Sequence, residues 1–144
     1  MPTLYDATGP ELTAAQLHDI LRLRVDVFVV EQKAAYPEVD GRDLLPDTRH
    51  LWFEDSGGVT SYLRVLADPD GVRRIGRVVT AAQARGQGLA ARLMDAALLA
   101  PGEYVLDAQT YVQGFYARYG FTPEGPEYTD DDGIPHIRMR RLPQ

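Results

Sequence analysis

Cysteine is absent from the 144 residues, which excludes disulfides, a thiolate nucleophile and sulfur-ligated zinc or iron–sulfur centres. Long apolar runs are absent too. None approaches the ~20 residues of a spanning helix, and the stretch Met1-Pro2-Thr3-Leu4-Tyr5-Asp6 has no basic segment leading into an apolar one. Neither secretion nor a membrane association is expected, and the expected location is the cytoplasm. Basic residues are in deficit: Lys and Arg number 15 against 21 Asp and Glu, a formal net charge of −6. The overall field therefore repels a phosphate backbone, and with no basic patch evident no nucleic-acid partner is expected. An anionic small molecule would have to be held by local features. No repeat or low-complexity tract interrupts the chain, and its apolar share of 44% is close to that of ordinary globular proteins. One domain over residues 1–144 is expected.

Periodicity then orders the chain. After an initial strand, Leu17, Ile20, Leu21, Val27 and Phe28 recur at helical spacing over residues 13–31, with Thr13 as N-cap. Residues 33–47, rich in Pro, Gly and Asp, read as a long loop, of the kind that is often functional. Strand-like runs at 50–54 and 59–66 flank the turn Asp55-Ser56-Gly57-Gly58, and Asp68-Pro69-Asp70-Gly71 leads into a third run at 74–80, giving an antiparallel meander. A helix follows, with Leu89, Leu93, Ala96, Ala97 and Ala100 on one face and Pro101-Gly102 as its stop. The remainder reads as a strand at 104–108, a helix at 111–119 and two strands, near Phe121 and at 134–140. The helix between Thr80 and Tyr104 should make a right-handed crossover joining parallel strands, so the class is α/β with a mixed sheet.

Between the meander and that helix lies Arg85-Gly86-Gln87-Gly88. Glycines remove side chains that would keep an anion from the backbone, and the first N–H groups of a helix have no partner within it. A P-loop is excluded because no Lys-Ser or Lys-Thr follows. A dinucleotide fingerprint is formally matched by Gly86, Gly88 and Ala91 with Asp107 on the next strand. It needs glycines at the strand end and further parallel strands, however. An ordinary left-handed turn and the pyrophosphate site of an acyl-CoA complete the alternatives.

The motifs also carry a resemblance. Arg85-x-x-Gly88-x-Ala90 after Arg77-Val78-Val79-Thr80 resembles the acetyl-CoA signature of the GNAT superfamily of N-acetyltransferases, and Phe115-Tyr116-Ala117-Arg118-Tyr119-Gly120-Phe121 resembles its second signature. Leu23-Arg24, Val27-Phe28-Val29-Val30-Glu31-Gln32, Arg49-His50 and Asp132-Gly133-Ile134-Pro135-His136 resemble the ElaA-type subgroup. The resemblance implies a mixed, mostly antiparallel sheet of six or seven strands, flanked by helices and splayed between the fourth and fifth. Acetyl-CoA would lie in the split. Its pantetheine arm would pair with Val78, Val79 and Thr80, and its pyrophosphate would meet Arg85, Gly86, Gln87, Gly88, Leu89, Ala90 and Ala91. Gln109 stands where many members have asparagine. The implied reaction is acetyl transfer to a small amine, or to an amine on a macromolecule, and the resemblance allows a homodimer. An acyl-homoserine-lactone-synthase-like enzyme and a non-catalytic acyl-CoA-binding module are the alternatives.

By the same resemblance Tyr116 is the general acid and is counted with the cofactor contacts, while an N–H near Val79 stabilises the oxyanion. Tyr116 also belongs to a stripe with Val112, Phe115 and Tyr119 that reads as core packing. Arg24 and Glu31 place charges on the face that the first helix buries. Either they border the acceptor pocket with Phe28, Glu31 serving as base or amine receptor, or Glu31 lies at the frayed helix end and Arg24 snorkels to solvent. His50 is a further catalytic candidate and His136 an acceptor contact, since either titrates near neutrality. Tyr62 and Arg64 share one strand face, from which Arg64 would bind an acidic group or pair with a carboxylate. Thr129-Asp130-Asp131-Asp132 reads as a solvated turn able to steer a cation, and no metal is expected there.

Overall fold

Alternation along the central strands decides how the layers stack, because each strand has one helix-covered face on either side. The computed structural model describes residues 2–33, 37–129 and 133–144. Strand β1 (Thr3–Thr8) leads to helix α1 (Ala14–Arg24), whose first turn is closed by a capping box. Gln16 N–H donates to Thr13 Oγ1 and Gln16 Oε1 accepts from Thr13 N–H, both at 3.0 Å. The helix does not run evenly to its expected end. Val25–Glu31 is a π-helical segment closed by Gln32 N–H donating to Val27 O, five residues back, at 2.9 Å. Such widened turns recur at functional sites.

The meander follows as β2 (Arg49–Asp55), β3 (Gly58–Ala67) and β4 (Arg73–Thr80). Helix α2 (Leu89–Ala97) crosses to β5 (Tyr104–Gln109), the short α3 (Gln113–Ala117) comes next, and β6 (Thr122–Pro123), β7 (Tyr128–Thr129) and β8 (Pro135–Arg141) complete the sheet. The spatial order is β1-β2-β3-β4-β5-β8-β6, with β7 also on β8. Only β4 and β5 run parallel among the described strands. That pattern removes the dinucleotide reading, which requires a parallel sheet. The described strands number eight, one above the expected six or seven, because β7 is a two-residue pairing on β8 too short to leave a periodic signal.

The core has two halves. Leu51, Phe53, Leu63 and Val65 face α2, which buries Leu89, Leu93, Met94 and Ala97 at helical spacing. Their neighbours Trp52 and Tyr62 face the other way, against Ile20, Leu23 and Val27 of the first helix.

Two features of β4 open the sheet. Parallel pairing with β5 is confined to Arg73 with Tyr104 and Arg74 with Val105. On its other edge, Tyr62 faces Val79 and Arg64 faces Gly76, so Leu63 is opposed by two residues, Arg77 and Val78. This is a β-bulge, which bends and twists the strand that carries it. Arg77 has φ of +53°, a left-handed conformation that costs a non-glycine residue about 1–3 kcal/mol. Beyond Arg74 and Val105 the strands diverge, and the split falls between the fourth and fifth strands as expected.

Candidate active site

The diverging strands bound a cavity of about 1050 Å³, lined by Ile75–Thr80 on one side, residues 106–109 on the other, and Phe28, Glu31, Tyr116 and His136 around them. Strand alternation tells which backbone groups point into it. Ala81 N–H donates to Thr60 O at 2.8 Å, and the pairing of Ser61 with Thr80 and Tyr62 with Val79 is regular. Counting back from Ala81, the Val79 N–H is directed at β3, whereas the N–H groups of Thr80 and Val78 face the gap. Within the expected stretch Val78, Val79 and Thr80, the donors aimed at the gap are thus those of Val78, beside the bulge, and Thr80, rather than Val79.

At the far end of β4 the chain makes a short helical turn and reaches Arg85-Gly86-Gln87-Gly88. Gly86 and Gly88 have φ of +81° and +74°, and Gly88 is the N-cap of α2. A Cβ on either would meet nothing within 4 Å, so the backbone conformation, not crowding, demands glycine, and open space lies in front of the loop. Leu89 sends its side chain into the core while its N–H stays at the helix start with those of Ala90 and Ala91. A Gly88→Val variant would force a β-branched residue into the left-handed region. We expect it to weaken coenzyme A binding at least about tenfold through misdirected amides. Calorimetric titration of folded protein reads this directly, and unaltered affinity would remove the loop from the site.

Side chains complete the cavity. Tyr116 is buried, with its ring edge-on to Phe115 at 5.1 Å and to Phe121 at 6.3 Å. It belongs to the core and lines the cavity at once. Burial, with a smaller contribution from Tyr111, pushes its phenol above the ordinary value, so the hydroxyl stays protonated. Glu31 closes a two-point ion pair with Arg85, at 2.8 and 3.0 Å, and Arg85 Nε also donates to Thr80 O at 3.0 Å. The Arg85 hydrogen bond holds the Glu31 carboxyl below its usual value. Gln109 Nε2 reaches Gln32 Oε1 at 3.4 Å, and His136 stacks on Tyr128 while Nδ1–H donates to Ile134 O at 2.8 Å.

Three residues expected here lie elsewhere. Arg24, Tyr62 and His50 are each fully buried, and none lines the cavity. The loop after the π-helical segment folds back and delivers two carboxylates, Glu38 and Asp43, to Arg24 and a backbone carbonyl to His50. Arg24 donates through Nε to Glu38 at 2.8 Å, through Nη1 to Asp43 at 2.7 Å and through Nη2 to Glu38 O at 3.0 Å. His50 Nε2–H donates to Asp43 O at 2.8 Å, which leaves Nδ1 to accept from Tyr62 Oη at 2.6 Å. Burial, reinforced by Arg24 and Arg64, lowers the His50 pKa and keeps the ring neutral. This satisfied structural role replaces the catalytic one. Arg64 borders the cavity, but its guanidinium pairs with Asp40 and with Asp43, the latter at 3.0 Å. Its carboxylate partnership, not an acidic ligand, is what the geometry supports. Glu38, Asp40, Asp43 and Arg77 were missed by the sequence reading. The available signal was the pair of arginines on buried faces, which requires carboxylates from somewhere. Of the acidic turn, Asp130, Asp131 and Asp132 lie outside the described residues.

Comparison with known proteins agrees with this geometry. The acetyltransferase (GNAT) domain model matches residues 16–143. A UPF0039 protein of Mycobacterium tuberculosis is 50% identical over 137 residues, covering 91% of this chain and 87% of that one. Escherichia coli ElaA is 39% identical over 144 residues, with 94% of each chain covered. A crystal structure of an acyl-CoA N-acyltransferase from Pseudomonas aeruginosa superposes with a TM-score of 0.92 at 44% identity, covering 99% of this chain and all of that one.

Proposed function

This chain belongs to the GNAT acetyltransferase family, among the relatives of ElaA, and we propose that it transfers acetyl from acetyl-CoA to a primary amine by direct attack. The observation that carries the reading is one continuous cavity joining a strand gap, a bulge amide and a protonated tyrosine. The residues fit the donor: Gly86 and Gly88 leave open space before the amides of Leu89, Ala90 and Ala91, a setting suited to a pyrophosphate. Arg85 and Gln87 adjoin that loop, and Thr80 and Gln109 offer polar contacts along the gap. Coenzyme A supplies a thioester, whose carbonyl the protein polarises and whose thiol it releases.

In the chemistry, the neutral amine nitrogen forms a bond to the acyl carbon and the carbon–sulfur bond breaks. The Val78 N–H stabilises the negative charge that develops on the carbonyl oxygen. Tyr116 gives its proton to the departing sulfur and regains one from the nitrogen, through water or through Glu31, so the net products are an amide and a free thiol. Glu31, Phe28 and His136 form the acceptor side. Without cysteine, no thiol on the protein can carry the acyl group, which favours the direct route. We read the enzyme as cytoplasmic, in keeping with the absence, among the described residues, of a helix long and apolar enough to cross a membrane. A homodimer is compatible with this reading and is tested by sedimentation.

The function is tested by thiol release from acetyl-CoA against a panel of polyamines, amino acids, aminosugars and peptides. Release that depends on one acceptor class supports the proposal and names the substrate. Tight acetyl-CoA binding with no release across the panel would mark a binding module instead, and preference for a longer acyl chain would favour an acyl-homoserine-lactone-synthase-like reaction.

A further inference from the structure

We propose that Glu38 is a positioning residue for acyl transfer, holding Arg77 in the left-handed conformation that makes the β4 bulge and so keeping the Val78 N–H aimed at the donor carbonyl. The inference rests on the reading of the gap as the acyl-donor cleft.

A non-glycine residue at positive φ inside a strand persists only if its surroundings over-determine it. Among the described residues only Lys33 and Arg77 do this, and Lys33 lies in an exposed connection. The ladder cannot be what holds Arg77, because β3 offers one residue, Leu63, against two. The side chain can. Arg77 Nε donates to Glu38 Oε2 at 2.7 Å, Nη2 donates to Glu38 O at 3.2 Å, and Asp40 lies 3.5 Å from Nη2. Two bonds to one residue fix the guanidinium in direction as well as place.

Glu38 is itself held on two sides. It is buried, and the oxygen that receives Arg77 also receives Arg24 Nε, while Arg24 is tied to Asp43. A rigid link therefore runs from α1 through one carboxylate to the bulge. Were φ of residue 77 to relax to the extended region, its side chain would swing away from Glu38 and the Val78 amide would rotate out of the gap. The carboxylate touches neither donor nor acceptor in this scheme; it acts through Arg77.

The test separates conformation from charge. Arg77→Ala and Arg77→Gly both delete the guanidinium, but only glycine adopts a left-handed φ freely. Bound [1-¹³C]acetyl-CoA should show a lowered carbonyl stretching frequency on the wild-type protein. That shift should be lost in Glu38→Gln and Arg77→Ala and largely kept in Arg77→Gly. Turnover should fall about tenfold or more in the first two, with acetyl-CoA affinity within about threefold of wild type. Adding Arg77→Gly to Glu38→Gln should recover much of the loss. Equal spectra for Arg77→Ala and Arg77→Gly would overturn the proposal, and because Glu38 and Arg24 stay paired in both, this arm stands even if Glu38→Gln does not fold. A wild-type shift that survives in Glu38→Gln would also overturn it. No shift in the wild-type protein would instead defeat the cleft reading, and this proposal with it.

Discussion

Replacing Tyr116 with Phe is expected to lower turnover by about two to three orders of magnitude, the scale of a lost general acid, while acetyl-CoA affinity stays within about threefold. The phenyl ring keeps its edge contacts with Phe115 and Phe121, so packing is preserved and only the hydroxyl is removed. A buried phenol with a raised pKa looks at first like a weak donor to a thiolate, whose ordinary pKa is about 8.5. The same apolar surroundings also raise the pKa of a thiol leaving into that cavity, which narrows the mismatch. The sign of the pH dependence follows. The acid form is the active form, and its pKa lies above the ordinary 10.0, so activity should climb as the acceptor amine loses its proton and should not decline through pH 10 because of this group. Steady-state rates from pH 6 to 10 on both proteins provide the measurement. A Phe variant within threefold of wild-type turnover would return Tyr116 to the core stripe in which its spacing first placed it.

That double membership shows where the sequence could be read and where it could not. The meander, the α2 crossover and the glycine turn were legible because turn residues and apolar periods are local signals, and Gly86 and Gly88 both have the positive φ of a left-handed turn. The division of β3 into Tyr62 on one face and Leu63 with Val65 on the other was legible for the same reason. The acceptor side was not. Arg24 and Arg64 looked like site residues because a polar group on an apolar face is either functional or paired, and sequence does not reveal a partner 14 to 24 positions away in an aperiodic loop. The bulge was equally hidden. Arg77 carries no glycine-like signature, and its backbone is set by a carboxylate from that same loop.

The second large effect concerns those buried charges. Truncating Arg24 to Ala is expected to destabilise the protein by about 3–5 kcal/mol, as breaking one side of a buried ion pair does. Arg24 is fully enclosed and makes three hydrogen bonds to Glu38 and Asp43. Its loss leaves a cavity beside two carboxylates, Glu38 still paired with Arg77 and Asp43 with Arg64. Against a total stability of about 5–15 kcal/mol, such a change approaches unfolding. The surface pair of Arg22 and Asp26, 4.0 Å apart with side chains 74% and 63% exposed, should contribute only about 0–1 kcal/mol, and Arg22→Ala is the matching control. The pH dependence separates the two further. Burial alone would raise the Asp43 pKa, but the hydrogen bonds and charges of Arg24 and Arg64 outweigh it and leave the carboxyl below the ordinary aspartate value. A depressed folded-state pKa contributes stability that is present above the unfolded value and lost as pH falls through the folded one. Wild-type protein should therefore lose stability steeply below about pH 4, and Arg24→Ala less steeply, having already forfeited that contribution. Urea unfolding at pH 7 and melting curves from pH 7 to 3 test both points. A cost below about 1 kcal/mol, the surface-pair range, together with an altered KM for the acceptor, would mean that Arg24 meets the substrate after all and that the loop opens to let it.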